Sequence, residues 1–322
     1  MKKVLMIMVV ALVLLSGCSS SGQKENSKKK IGVLIWVEHP ALNDALIGLE
    51  AGLEDLGVKD EIEIVVKNAN DDASNANMMV DQFVNDGVDL IYAIATPAAQ
   101  AAMAGTDSEN IPVVFNAVTD AESAGLVDSN DKPAGHVTGV SDMVPVNQQL
   151  ALIKEFLPNA QKIGVLYNTG EDNSLHQIKL IESMISKHGL DLVTQGIGGT
   201  EDIALATETL VSKVDALYII TDNTVASATS QVVGIANETK TPVFMAEAGQ
   251  FEHGILASDS ISYVKLGEAA AKQVKDILFE DVKPGDIPVV IGGVTELLVS
   301  ESVAEFLELE IPESVLERAT LK

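Results

Sequence analysis

The stretch LIYAIATPAAQAA, Leu90–Ala102, decides how this chain is read. Its first residues form an unbroken apolar run, the mark of a strand buried on both faces in a parallel sheet. The run passes directly into Thr96-Pro97 and then into small residues of helical character. Thr is a favoured helix cap and Pro a favoured first helical residue, so a strand here feeds a helix with almost no loop. The same grammar returns in ALYIITDNTVASA, Ala216–Ala228.

Working outward, short apolar runs alternate with longer amphipathic ones. Strands are expected at Ile31–Val37, Ile62–Val66, Val88–Ala95 and Ile111–Val118, with helices at Ala41–Leu56, Ala73–Asp86 and Pro97–Ala104 between them. The pattern then restarts. KIGVL at Lys30–Leu34 recurs at Lys162–Leu166, VDLIYAIAT at Val88–Thr96 matches VDALYIITD at Val214–Asp222, and IPVVFN at Ile111–Asn116 matches TPVFMA at Thr241–Ala246. The offsets are 132, 126 and 130 residues, in one order along the chain. The expectation is an α/β protein of two similar lobes, each a parallel open sheet flanked by helices. Residues 31–143 with 254–283 form the first lobe and residues 144–253 with 284–322 the second, hinged near Val144, His253 and Pro284.

The N-terminus belongs to a different argument. Met1-Lys2-Lys3, the apolar run Val4–Leu15 and then Leu15-Ser16-Gly17-Cys18 read as a secretory signal over residues 1–17. Twelve apolar residues fall short of the about 20 needed to cross a bilayer. Leu-Ser-Gly-Cys looks like a bacterial lipobox, with Cys18 as the acylated residue. Residues 18–30 hold SSSGQKENSKKK, which has no apolar residue and reads as a flexible tether. Cys18 is the only Cys, which excludes an intramolecular disulfide. A formal net charge of −26 argues against nucleic acid as a partner.

In open α/β sheets, ligands sit beyond the carboxyl ends of the strands, so two facing lobes share one cleft. The strand ends turn polar or aromatic: WVEHP, ATPAA, NAVTD, YNTGEDNS, TDNT and AEAG. Thr96 and Pro97 open a helix whose free N–H groups, at Ala98 and Ala99, could hold an anion; a plain helix cap is the alternative. Asp222, next to Asn223, either caps the following helix or holds an ammonium. Together the two ends would suit a zwitterion such as an α-amino acid. Trp36 and Tyr167 occupy matched strand ends, as core packing or as stacking partners for a flat group. Ser141 and Asp142 lie where the first lobe hands over to the second, with Asp142 a second ammonium partner or a cap. Thr119 and Asp120 carry the same ambiguity. His39, Asn173 and Glu247 lie in the same strand-end stretches and complete the candidate set. No nucleophile–base pair, Walker motif or metal-ligand spacing is present, so no catalytic residue, cofactor or metal is expected.

The motifs IGVLIWVEHPALN, IATPAAQ, HVTGVSD, LYNTGEDNS and TDNTVAS, with the C-terminal LEIPESVLERA, resemble the substrate-binding lipoproteins of ABC importers in the tryptophan/tyrosine-transporter family. Trp36 replaces what is often another aromatic there, and Glu38 stands where a smaller polar residue is common. The resemblance covers essentially the whole chain after the signal. It implies a type I periplasmic-binding-protein fold with an aromatic amino acid, or a related small ligand, between the lobes. It also implies that Thr96 and Ala98 hold the carboxylate while Asp222 with Asn223 lies by the amino group. Permease and ATPase subunits would be partners, and the outer face of the cytoplasmic membrane the location. Other expectations stand beside it: a nucleoside, sugar or branched amino acid as ligand, a sensor or adhesin role, or an exported enzyme using Asp120 and Asp222.

Overall fold

The computed structural model describes residues 28–322. The signal expected over 1–17, Cys18 and most of the tether lie outside them. The tether expected to run to residue 30 ends earlier, because Lys29 and Lys30 already pair with Ile62 and Glu63 in the first sheet. Their two positive charges mislead; Asp89 takes both the Lys29 Nζ (3.1 Å) and the Lys30 backbone N–H (2.7 Å).

The first lobe begins β1 (Lys29–Ile35), α1 (Pro40–Asp55), β2 (Ile62–Asn68), α2 (Ala73–Asn85), β3 (Leu90–Ile94), α3 (Thr96–Thr106), β4 (Val113–Val118) and β5 (Val137–Ser141). The second repeats the plan with α4 (Val146–Phe156), β6 (Lys162–Asn168), α5 (Asp172–Met184), β7 (Asp191–Ile197), α6 (Ile203–Val211), β8 (Ala216–Ile219), α7 (Asn223–Ser227), α8 (Thr229–Glu238), β9 (Val243–Met245) and β10 (Ala257–Ser260). The chain then returns to the first lobe for α9 (Tyr263–Phe279) and β11 (Val290–Ile291). It ends in the second with β12 (Glu296–Val299), α10 (Glu301–Leu307), α11 (Glu313–Leu316) and β13 (Thr320–Leu321).

The strand orders are β11-β5-β4-β3-β1-β2 and β13-β12-β10-β9-β8-β6-β7. Their shared core, 5-4-3-1-2 against 10-9-8-6-7, is the duplication seen in the repeated segments. Every pairing in the first sheet is parallel, as is the core of the second; only β12 runs antiparallel, against β10. The fully buried runs of β3 and β8 explain their central places, since each is covered on both faces by helices.

Two lobe boundaries differ from expectation. The crossover after β5 runs through residues 142–145. The second is at 261–262 rather than 253/254, because β10 pairs with β9 in the second sheet. Its sequence, Ala-Ser-Asp-Ser, has no apolar run to announce a strand. The third is at 292–295 rather than 283/284, because the two-residue β11 pairs with β5. What ties α9 to the first lobe is close helix packing on α1. A Cβ at Gly48 would stand 2.0 Å from Val264 O, and one at Gly267 2.3 Å from Ala45 O, so only glycine lets these backbones approach.

Candidate ligand-binding cleft

The carboxyl ends of both sheets face one another, and the lobes touch across the gap. Thr119 Oγ1 and Thr221 Oγ1 are 3.0 Å apart, Thr224 Oγ1 lies 2.8 Å from Asp71 Oδ2, and Gln100 donates to Asp172 at 2.8 Å. His176 Nε2 lies 3.4 Å from Asp120 Oδ2. This is a closed arrangement. Gly249, after β9, comes so near the start of α1 that a Cβ there would lie 2.6 Å from Ala41 N.

Between the lobes is a narrow cavity, with about 270 Å³ of empty space among its atoms and room for about one water molecule. Seven of the residues expected from the sequence line it: His39, Thr119, Asp142, Asn173, Asp222, Asn223 and Glu247. Leu42, Ala117, Thr221, Ala226 and Tyr263 complete the wall and were not singled out. Three carboxylates line the cavity and no Lys or Arg does. A larger, open hollow of about 1080 Å³ around Met103 and His136 is lined by the first lobe alone.

Each wall residue is set by its strand end. Asp142 follows β5; its Oδ1 accepts from Thr119 (3.1 Å) and its Oδ2 from Tyr263 OH (2.7 Å). Thr119 has one proton, which goes to Asp142, so Thr221 donates across the cleft. Glu247 follows β9; Oε2 accepts the Gly249 N–H at 2.7 Å, while Oε1 is buried with no hydrogen-bond partner among the described residues. Burial, with the Asp142 and Asp44 charges adding, pushes Glu247 up to about 7. His39 precedes α1 with both ring nitrogens unpartnered, and burial pushes it down to about 4, so it is neutral at pH 7. Asn173 donates to Glu171 and to Thr221 O, which leaves its Oδ1 unpartnered.

Asp222 takes the capping alternative. Its Oδ1 accepts from Val225 N (2.8 Å), and its Oδ2 from Asn168 N (2.5 Å) and Ser174 Oγ (2.7 Å). Beside it sits Glu171, which accepts from the backbone N–H groups of Asn223 and Thr224. Burial and the adjacent Asp222 raise Glu171 well above its usual range. The start of α7 is thus filled by the protein's own two carboxylates. Glu171 lies in the strand-end stretch YNTGEDNS but was not singled out, because, Asn173 apart, its partners Asn223 and Thr224 lie about fifty residues away.

Six expected residues stand behind or beside the wall. Thr96 is the first residue of α3 rather than its cap, because the chain turns at Ala95 (φ 85°) with no side-chain cap. The helix therefore starts one residue early, and the Ala99 N–H is used by Ala95 O rather than free. Thr96 Oγ1 is buried without a partner, and Pro97 and Ala98 follow it in the first turn. Trp36 is 6 % exposed within the first-lobe core. Ser141 Oγ ties β5 to Thr119 O at 2.9 Å. Tyr167 is half-buried, beside Gly196 of the neighbouring strand.

The buried ionisable groups give the closed form a pH dependence. Glu247 rises from an ordinary 4.5 to about 7, so its contribution to stability is present below 4.5 and lost as pH rises through 7. His39 falls from 6.5 to about 4, so its contribution is present above 6.5 and lost as pH falls through 4. Each amounts to roughly 3 kcal/mol, and between 4.5 and 6.5 they offset one another. Above 6.5 the raised carboxylates, Glu171 among them, lose stability as they ionise. Glu171 and its partners Asn173, Asn223 and Thr224 all belong to the second lobe, so its raised pKa does not depend on closure, and calorimetry without ligand should find a lower Tm at pH 8 than at pH 6.5.

Residues 30–322 match the family described as ABC transporter substrate binding protein. A tyrosine-binding protein of Clostridioides difficile is 39% identical over 324 residues, covering 96% of this chain and 93% of that protein. The crystal structure of an ABC domain from Streptococcus pneumoniae in complex with L-Trp matches at a TM-score of 0.88 and 38% identity, over 92% of this chain and 99% of that one. The ligand-free, open structure of a Clostridium difficile substrate-binding protein with adhesive properties matches at only 0.68, although it is 39% identical over 91% of this chain and 99% of that one. Of these two, the structure with the lower score is the one described as ligand-free and open, and the one with the higher score holds L-Trp.

Proposed function

Because the chain belongs to the ABC transporter substrate-binding protein family, we propose that it captures an aromatic amino acid between its two lobes and closes on it. The observation that carries this reading is the narrow cavity between the two sheet ends, lined by three carboxylates and by no Lys or Arg. Its fit to a zwitterion follows from an asymmetry. The α7 start is filled by Glu171 and Asp222, whereas the α3 start offers the Ala98 N–H and the unpartnered Thr96 Oγ1. An anionic group belongs at the latter and a cationic one near the free carboxylate oxygen. The tyrosine-binding and L-Trp-bound relatives support an aromatic side chain.

The function is binding without a chemical step. A ligand that touches both lobes favours the closed state, since only that state offers all its contacts. The closed form is what a membrane permease would engage, with ATP used by a separate subunit. The lipobox at Cys18 supports tethering to the outer face of the cytoplasmic membrane. A surface-adhesive role is a second reading, favoured by the adhesive properties of the open relative.

Thermal unfolding against the twenty amino acids tests the ligand. At a concentration about 100 times Kd, a bound ligand adds about 2.7 kcal/mol, a clear rise in midpoint. A rise with Trp, Tyr or Phe and none with the others is expected; no rise with any of these three sinks the reading.

A further inference from the structure

We propose that the ligand's ammonium group is seated between Glu247 and Asp142, and that Asp222 is not part of that seat. This rests on the amino-acid reading above and deepens it. Glu247 is 1 % exposed and Asp142 4 % exposed, and both line the interlobe cavity. Glu247 Oε1 is a buried carboxylate oxygen with no partner among the described residues. Such an atom is costly unless a donor meets it. Asp142 has one donor on each oxygen and keeps a lone pair on each. Burial raises Glu247 and Tyr263, with the Asp142 charge adding to both and the Glu247 charge adding to Tyr263. An ammonium brings the missing positive charge and three donors. Asn173 Oδ1, unpartnered in the same wall, is available for the third.

Asp222 differs in the count of its partners. Three donors, the Asn168 and Val225 N–H groups and the Ser174 hydroxyl, already meet its two oxygens, all from within the second lobe. Its place in the wall is structural.

The seat also links the ligand to lobe closure. Glu247 is carried by the second lobe. Asp142 stands on the first crossover, and Tyr263, which holds Asp142, opens α9 directly after the second. Moving the lobes apart separates Glu247 from Asp142. A cation between them is fully met only in the closed form, so the ammonium group itself favours closure.

The test compares an amino acid with its desamino counterpart by titration calorimetry on the full chain. The probes are L-tyrosine and L-tryptophan against 3-(4-hydroxyphenyl)propanoate and 3-(indol-3-yl)propanoate. Wild type should prefer the amino acid. Glu247→Gln and Asp142→Asn should each cut that preference about tenfold or more, through weaker binding of the amino acid and not of the desamino compound. Asp222→Asn should lower stability and keep the preference. The comparison of Glu247→Gln with Asp222→Asn carries the test by itself should Asp142→Asn not fold. A preference untouched by Glu247→Gln but lost in Asp222→Asn overturns this assignment alone. A wild type that binds neither aromatic amino acid overturns the function reading and this one with it.

Discussion

Replacing Gly249 with Val leaves the protein folded and weakens its ligand about 5- to 150-fold. The new Cβ would stand 2.6 Å from Ala41 N, on the opposite lobe. Backbone cannot yield there as a flexible side chain could. Overpacking costs about 1–3 kcal/mol; the clash with the Ala41 backbone falls on the closed form alone, while the 2.8 Å approach to Glu247 Oε2, at the end of a side chain of the same lobe, is present in both forms. Opening the cleft moves Gly249 away from Ala41 and removes the clash. The variant should therefore unfold without ligand within a few degrees of wild type, since in the open form only the end of the Glu247 side chain has to shift. Scattering should show it staying extended when ligand is added. Affinity equal to wild type would mean that the approach of Gly249 to α1 is not part of closure.

Asp222→Ala should act on stability first, with a loss of about 3 kcal/mol or more before any ligand is added. Losing a helix cap costs about 0.5–2 kcal/mol, and a buried donor left unmet costs about 1–3 kcal/mol. Here the Val225 N–H, the Asn168 N–H and the Ser174 hydroxyl all lose their acceptor. One term opposes this: Glu171 is relieved of a neighbouring negative charge. Asp222→Asn restores one oxygen but presents an NH₂ group to donors, so it should fall between. Chemical denaturation of the ligand-free protein measures this. A wild-type midpoint combined with lost binding would show that the carboxylate serves the ligand rather than the fold.

The fold was legible where its signals are local. The apolar runs of β3 and β8 and their direct passage into helices are written in Leu90–Ala102 and Ala216–Ala228, and the strand order bears out the duplication. β10 and β11 were not legible, because Ala-Ser-Asp-Ser and a two-residue strand carry no periodicity; only their neighbours make them strands. That is why two of the three crossovers lie about eight residues beyond their expected places.

The site was legible in part for a similar reason. Strand-end position picks out His39, Thr119, Asp142, Asn173 and Glu247, since every sheet of this kind opens there. It does not tell a cap from a ligand contact. For Asp222 the answer depends on Asn168 and Ser174, about fifty residues away in the chain. Tyr263 reads as an ordinary helix start, and only the crossover geometry brings its hydroxyl to Asp142. At Thr96, the turn at Ala95 moves the helix start by one residue, a backbone choice that composition does not reveal.

The most direct test is small-angle X-ray scattering of the purified protein, alone and with saturating L-tryptophan, L-tyrosine or L-alanine. Closure of the two lobes around an aromatic amino acid predicts a fall in the radius of gyration with tryptophan or tyrosine and none with alanine. An unchanged radius with all three, under conditions where calorimetry shows binding, would contradict closure on the ligand.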